Sequence, residues 1–241
     1  MRVRIAISAV GITAVTLLTV PACTTNSTTD TTGAKASPRS SAQAEKPGGA
    51  APAAAPLSSA ALESRLLDAS DLGSGYQRKP DQPDRHDDVA VIGCPALSAL
   101  GGDAATGGSL DFPRKAEVTF TYAGGSDSEV SEELYSDSPT KLSDGTGRIF
   151  NAMTGCPTYQ MIVGGTTIHM ASQKLAVPGG LGDEQWSQLL TFSAGGRDTV
   201  MKQTAIRDGS LLLIVSGSPA LVDRHLDKAR NKGLNKATAA S

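Results

Sequence analysis

The chain has 241 residues and a formal net charge of −2, and aromatic residues make up 4% of it. The weakly acidic balance argues against nucleic acid and an anionic membrane surface as main partners, because both attract proteins through clustered basic residues. The scarcity of aromatic rings leaves few side chains that could anchor a ligand by stacking.

The N-terminus has the pattern of a bacterial lipoprotein signal peptide over residues 1–22. Two arginines precede an apolar run over residues 5–20, which is too short and too rich in Ser and Thr to predict a membrane span. The sequence Val-Pro-Ala-Cys that ends at Cys23 matches a lipobox, so we expect cleavage before Cys23 and attachment of diacylglycerol to its thiol. An ordinary secretory signal with a chance cysteine is the alternative. Removal of the two arginines lowers the formal charge from −2 to −4.

The sequence has three cysteines. With Cys23 assigned to lipidation, Cys94 and Cys156 remain as one pair. An exported domain lies in an oxidising compartment, so we expect these two residues to form a disulfide, with two buried free thiols as the alternative. Neither belongs to a C-x-x-C motif, which argues against a metal site, and the sequence predicts no cofactor.

A change in composition separates a tether from a folded domain. Residues 24–56 are rich in Thr, Ser, Ala and Pro and have no apolar periodicity, so they bury too little surface to offset their conformational entropy. We predict a disordered tether over residues 23–57, with glycosylation of its Thr cluster as an open hypothesis. A single sensor-like domain is predicted over residues 58–236, and a flexible tail over residues 237–241.

The first elements of the domain are predicted from caps and from alternation. Ser59 is predicted to cap a short helix that ends near Gly73, and Pro95 to begin another helix. Residues 115–122 alternate polar and apolar side chains, which is typical of a strand with one buried face.

The acidic segment of residues 129–135 fits either a second strand or a short helix. Its carboxylates, Glu129, Glu132 and Glu133, are interpreted as a charged edge that discourages pairing with another chain. A helix with one apolar face follows this segment and is predicted to carry Cys156 at its end.

The C-terminal part is predicted as a run of antiparallel strands followed by a helix. Gly-Gly and Pro-Gly turns separate the strands, and Asp208-Gly209 predicts a hairpin into Leu211–Val215, which is apolar on both faces and therefore central. Ser218 is predicted to begin a final helix that Gly233 closes. Strands in runs with helices to one side indicate an α+β fold, here an antiparallel sheet of five to six strands with packed helices.

Several short motifs stand together in the predicted domain. They are Leu66-Leu67 through Gly75-Tyr76, Gly93-Cys94-Pro95, the strand that ends at Tyr122, Cys156-Pro157-Thr158-Tyr159 and Leu181-Gly182-Asp183. Together they resemble the extracellular sensor domain of PknH-type receptor kinases of actinobacteria, which is similar to domains of stand-alone lipoproteins. The resemblance covers nearly all of residues 58–233 and implies helices packed on an antiparallel sheet, with a deep cleft for an unidentified ligand. The sequence departs from the kinases in having no kinase domain, no transmembrane span and one disulfide pair where they have two.

No segment of the sequence predicts catalysis. Ser138 and Lys141 match an S-x-x-K pattern, but the Lys-Thr-Gly triplet that accompanies it is absent, and Ser138 before Pro139 is interpreted as a helix cap. A G-x-S-x-G elbow is also absent. The three histidines are far apart in the sequence. His86 is predicted in a polar loop, His169 in a strand and His225 on the apolar face of the last helix, and these structural positions explain them better than catalysis.

Four residues are candidates for ligand binding. Trp186 opens a strand beside a turn, although its apolar strand face favours a core position. Tyr122 and Tyr159 combine an apolar ring with a polar tip, and Arg197 is a candidate contact for an anion.

From these features we expect a non-catalytic lipoprotein on the outer face of the cytoplasmic membrane, anchored through Cys23. Its domain is expected to bind a small envelope-derived molecule, a glycan or a peptide. An envelope component that binds a protein partner and a hydrolase acting on the cell wall are the alternatives. The sequence does not identify the ligand.

Overall fold

The computed structural model describes residues 55–80, 89–102, 104, 112–124, 128–177 and 179–235. The chain divides into two units, Met1–Gly48 and Gly49–Ser241, and all described residues lie in the second unit. The predictions for the signal peptide, Cys23, His86 and the tail lie outside the described residues, as does most of the predicted tether. Among the described residues, no helix is long and apolar enough to cross a membrane.

A nine-stranded antiparallel sheet forms the centre of the described domain. Strands β1 to β9 are, in chain order, Tyr76–Arg78, Val89–Ile92, Lys115–Tyr122, Ser128–Ser136, Thr158–Val163, Thr166–Lys174, Glu184–Ala194, Arg197–Asp208 and Leu211–Gly217. They lie in the order β1-β3-β4-β9-β8-β7-β6-β5-β2. The α+β class is confirmed, but the prediction of five to six strands was wrong. The two edge strands, β1 and β2, are three and four residues long, and such short segments carry too little alternation to be recognised.

Five helices are described around this sheet. They are α1 Ser59–Glu63, α2 Ala69–Leu72, α3 Pro95–Ser98, α4 Pro139–Gly155 and α5 Pro219–Gly233. The prediction of a single helix from Ser59 to Gly73 was wrong. Ser58 caps α1, because its side chain accepts a hydrogen bond from the backbone of Ala61, and Asp68 begins α2 with a capping box of its own.

Strand β9 shows how the two faces of the sheet are covered. Leu211, Leu213 and Val215 belong to an apolar cluster with residues of α1, α2 and α5. Leu212 and Ile214 belong to another cluster, which includes Leu142 of α4. Since successive side chains of a strand point to opposite faces, we call these faces the α5 face and the α4 face. Strand β9 is therefore buried on both faces, as its apolar sequence predicted.

The predicted disulfide between Cys94 and Cys156 is present, with a Cα–Cα distance of 5.7 Å. Cys94 lies between β2 and α3, and Cys156 directly follows α4. Both belong to an apolar cluster with residues such as Leu97 and Met161. The bond therefore fastens the edge strand β2 and helix α3 to the end of α4.

The acidic segment of residues 129–135 lies inside the sheet. It forms most of β4, which pairs with β3 on one side and with β9 on the other. Glu132 is 2% exposed and points to the α5 face with its neighbours Val130 and Leu134. The interpretation of Glu129, Glu132 and Glu133 as a charged edge was therefore wrong, because periodicity does not show which strands lie side by side.

Candidate functional site

A groove of about 620 Å³ crosses the α4 face of the sheet beside the point where β9 ends. Strands β3, β4 and β9 line one side of the groove, and strands β7 and β8 line the other. Its volume lies within the roughly 300–1,000 Å³ that is typical of pockets for small molecules.

Two serines form the floor of the groove. Ser131 of β4 and Ser216 of β9 are register partners, and their hydroxyl oxygens lie 2.8 Å apart. The Ser131 hydroxyl also lies 3.3 Å from the backbone carbonyl of Ser216. Ser216 lies two residues after Ile214 and so points to the same α4 face. Because a hydroxyl both donates and accepts hydrogen bonds, this floor can pair with either kind of polar group.

Gly217 allows β4 and β9 to come close together at the groove. Its φ angle is 137°, and a Cβ atom at this position would lie 2.2 Å from the carbonyl oxygen of Glu129. Any side chain would therefore strain the backbone and push the two strands apart. The backbone N–H of Ser218 donates to the same Glu129 carbonyl at 2.9 Å. These contacts hold β4 and β9 close together at the end of the groove.

Charged side chains lie along the rim on the β3–β4 side. The ammonium nitrogen of Lys79 lies 2.6 Å from a carboxylate oxygen of Glu129, and that of Lys115 lies 3.8 Å from Glu117. The backbone N–H of Lys79 donates to the carbonyl of Thr119, which holds this lysine beside β3. Each carboxylate in the described lining therefore has a lysine next to it.

The opposite wall of the groove is apolar. Phe192 of β7 and Met201 of β8 are half-buried and pack against the cluster that contains the disulfide. Val200 also borders the groove and has 46% of its surface exposed, but its side chain points to the other face of β8. The groove thus presents an aromatic ring and a thioether to any molecule that lies on the two serines.

The four residues predicted to bind a ligand do not come together. Tyr122 packs on Tyr76, with ring centroids 4.7 Å apart, and the guanidinium of Arg224 lies 5.9 Å from the centroid of the Tyr122 ring. Trp186 is half-buried against the cluster of Leu212 and Ile214, and Arg197 is exposed at the start of β8. None of the four is among the described residues that line the 620 Å³ groove.

Tyr159 lines a second groove, of about 410 Å³, together with His169 and the exposed Ile92. Tyr159 itself is 4% exposed, and its hydroxyl has no hydrogen-bond partner among the residues that the structure describes. Burial raises the pKa of this phenol to about 12, so it stays protonated.

The motifs considered for catalysis have structural explanations. The Ser138 hydroxyl accepts a hydrogen bond from the backbone N–H of Lys141 at 3.4 Å, which confirms that this serine caps α4. The Nε2 atom of His225 lies 2.6 Å from the Tyr76 hydroxyl, and His169 is exposed in β6. Within the described ranges, no group of three or more His, Cys, Asp or Glu side chains could hold a metal ion.

Glu132 lies on the opposite face of β4 from the groove floor. One of its carboxylate oxygens accepts a hydrogen bond from the backbone N–H of Leu67 at 2.6 Å. The other is buried and has no hydrogen-bond partner in the described part of the chain. Burial raises the pKa of Glu132 to about 7, although the hydrogen bond and the charge of Lys232 favour the ionised form.

One signal of the groove is present in the sequence of β9. The apolar run Leu211–Val215 changes without a turn to Ser216-Gly217-Ser218, so the central strand becomes polar before it ends. The other lining residues are common types that come from four strands, β3, β4, β7 and β8, and from the two residues after β1. Their convergence depends on strand order, which local periodicity does not reveal.

Solved structures with a similar fold are known. The extracellular domain of PknH from Mycobacterium tuberculosis matches with a TM-score of 0.55 at 13% sequence identity, over 74% of this chain and 97% of that domain. The chain has the PknH extracellular-domain fold. The resemblance expected from the sequence is thus confirmed for the PknH-like fold. An uncharacterised protein from Mycobacterium smegmatis matches with a TM-score of 0.34 at 10% identity, over 67% of this chain and 92% of that one. No family model and no curated protein matches the sequence.

Proposed function

We propose that the protein is a lipid-anchored, extracytoplasmic, non-catalytic domain that binds a small ligand in the 620 Å³ groove. The observation that carries this proposal is the pairing of a polar floor, Ser131 and Ser216, with an apolar wall, Phe192 and Met201, across one concave site. Ligand pockets typically combine apolar lining with a few convergent polar groups.

The location outside the cytoplasm has three supports. The predicted lipobox at Cys23 would anchor the chain to the outer face of the cytoplasmic membrane. The disulfide between Cys94 and Cys156 suits an oxidising compartment. The shared fold is one that an extracellular domain uses.

The lining of the groove supports binding without catalysis. No described lining residue is a histidine or a cysteine. The two carboxylates, Glu117 and Glu129, lie at the rim beside lysines, where they can orient a ligand. General acid or base catalysis instead needs a proton-transferring group held at the reacting atoms.

The edge strand β2 favours a second candidate function, the binding of a protein partner. This strand lies at one end of the sheet, and its Ile92 is 51% exposed. An exposed sheet edge can accept a strand from another chain. In that case the recognition site would be β2 instead of the groove.

The first test is a thermal-shift screen with the full chain in lauryldimethylamine oxide, a detergent without a sugar headgroup. The probes are neutral saccharides, muropeptides, glycerophosphate headgroups and short peptides. A probe at about one hundred times its dissociation constant adds about 2.7 kcal/mol of stability, which raises Tm by roughly 5–10 °C for a domain of this size.

Two matched variants locate the binding site. Thr199→Trp places an indole in the groove from an exposed position of β8, and Thr167→Trp places one at an exposed position of β6 outside it. We expect the shift to disappear in Thr199→Trp and to persist in Thr167→Trp. A shift that both variants retain would refute the groove as the site.

If no probe shifts Tm, the proposal of a ligand-binding groove fails. A charged substitution at Ile92 then tests whether β2 binds a protein partner.

A further inference from the structure

We infer that the groove binds a short neutral saccharide, an inference that rests on the ligand-binding function proposed above. Three properties of the lining lead to this ligand class: its hydroxyl groups, its balance of charge, and the apolar wall opposite the floor. A fourth property, the position of α4 over Gln203 next to the serine floor, limits the length of the ligand.

Hydroxyl groups are the commonest polar side-chain groups in the lining. They come from β3, β4, β8 and the end of β9, so they surround the groove: Thr119, Ser128, Ser131, Thr199, Ser216 and Ser218. Each hydroxyl donates and accepts a hydrogen bond, and so does each hydroxyl of a sugar. The rim carboxylates add strong acceptors for sugar O–H groups.

The balance of charge disfavours ionised ligands. The described lining holds one lysine, Lys79, against two carboxylates, Glu117 and Glu129. Lys79 is already paired with Glu129 at 2.6 Å, so a phosphate or carboxylate would meet two negative charges and compete for the lysine. A cationic ligand would meet the ammonium groups of Lys79 and Lys115 beside the two carboxylates. A neutral ligand disturbs neither ion pair.

The apolar wall suits the C–H face of a sugar ring. Phe192 of β7 and Met201 of β8 line one side of the groove, and the serine floor lies across from them. A sugar ring can pack its apolar face on the phenyl ring and turn its hydroxyls to the serines. An acyl chain would instead cover Ser131 and Ser216 without forming hydrogen bonds, which is unfavourable.

The polar floor continues across the sheet and ends beneath α4. Gln203 of β8 is the register partner of Ser216, and its amide oxygen accepts a hydrogen bond from the amide of Gln188 at 2.9 Å. Gln203 also borders a cavity of about 30 Å³ whose other residues include Thr146 and Phe150 of α4. The helix therefore closes this end of the polar row, which favours a short saccharide over a long glycan.

The test is a glycan array of neutral mono- to tetrasaccharides, with charged sugars included, probed with the labelled full chain in lauryldimethylamine oxide. The affinity of the chain for each sugar that binds on the array is then measured by titration calorimetry. We expect Ser131→Ala and Ser216→Ala each to weaken binding by about three- to tenfold, the effect of one lost hydrogen bond. Thr199→Trp should abolish it, and Gln173→Ala, an exposed substitution in β6, should leave it unchanged.

The outcomes separate this inference from the function on which it rests. If neutral saccharides are not retained, while a charged sugar, a peptide or a glycerophosphate gives a signal that Thr199→Trp removes, the saccharide inference fails and the groove remains a ligand site. If no probe gives a signal that depends on Thr199, both proposals fail. A saccharide that binds equally to wild type and to both serine variants also contradicts the inference.

Discussion

Glu132 shows how burial changes the behaviour of a common side chain. Its carboxyl group lies in the apolar cluster of the α5 face, where a single hydrogen bond from the backbone of Leu67 offsets only part of the lost hydration. Two charged groups of the α2–α5 contact influence it: Lys232 favours the ionised form and Asp71 opposes it. The burial outweighs the favourable contacts, so the pKa of Glu132 rises from 4.5 to about 7.

This raised pKa predicts a loss of stability as the pH increases. Between pH 4.5 and about 7 the folded chain holds a proton on Glu132 that the unfolded chain has released, so the free energy of unfolding falls across this window. Glu132→Gln keeps an oxygen for the Leu67 N–H and cannot ionise. We expect the variant to gain about 2–3 kcal/mol relative to wild type between about pH 5 and pH 8.

Urea denaturation at the two pH values measures this difference. The matched control is Glu129→Gln, a neutral substitution of an exposed carboxylate in the same strand, which should follow the pH dependence of wild type more closely. Parallel pH profiles for wild type and Glu132→Gln would show that Glu132 does not titrate in this range.

Helix α4 depends on its two ends for its place in the fold. Ser138 and Pro139 determine where it begins, and Cys156 follows its last residue. Leu142 and Phe150, buried on one side of the helix, pack against the sheet. Because the disulfide ties its C-terminal end to Cys94, the helix, α3 and the edge strand β2 form one connected region.

Loss of the disulfide should destabilise the domain. The bond joins residues 62 positions apart, and closing a loop of this length removes unfolded-state entropy worth about 4 kcal/mol. For a domain of this size, we expect reduction to lower Tm by roughly 8–16 °C. Calorimetry with and without reductant measures the shift.

A double variant provides the control for this experiment. Cys94→Ala combined with Cys156→Ala has no bond to reduce, so its Tm should be close to that of reduced wild type and should not change with reductant. If reductant lowers Tm equally in wild type and in the double variant, the effect arises elsewhere and the disulfide contributes little.

The predicted lipid anchor at Cys23 would place the ligand site at the outer face of the cytoplasmic membrane. We expect wild-type chain from its native membranes to partition into the detergent phase of Triton X-114 and to carry the mass of an acylated Cys23. Cys23→Ala should lose both properties. The pair Cys94→Ala and Cys156→Ala controls for effects of cysteine replacement in general. Detergent partitioning of Cys23→Ala with an unchanged mass would contradict the lipobox prediction.

The prediction of the α+β class and of the disulfide depended on local patterns and on counting. Alternation located β3 at residues 115–122, and the Asp208-Gly209 turn located the hairpin before β9. These features were accessible because caps, turns and periodicity involve neighbouring residues, whose preferences are expressed in short segments. Cysteine pairing was accessible because two cysteines remained once Cys23 was set aside.

The tertiary structure alone decided the order of the strands, and the order decided the site. Strand β4 pairs with β9, and Val130 lies opposite Gly217 in this pairing although the two residues are far apart in sequence. No local pattern specifies which strand lies next to β4. This pairing buries Glu132 and brings Ser131 beside Ser216. Most of the longer elements were predictable from the sequence because caps, turns and periodicity are local, and the disulfide was predictable because counting left one pair of cysteines. The groove and the buried carboxyl group required the fold, because long-range packing assembles them from residues that are individually ordinary.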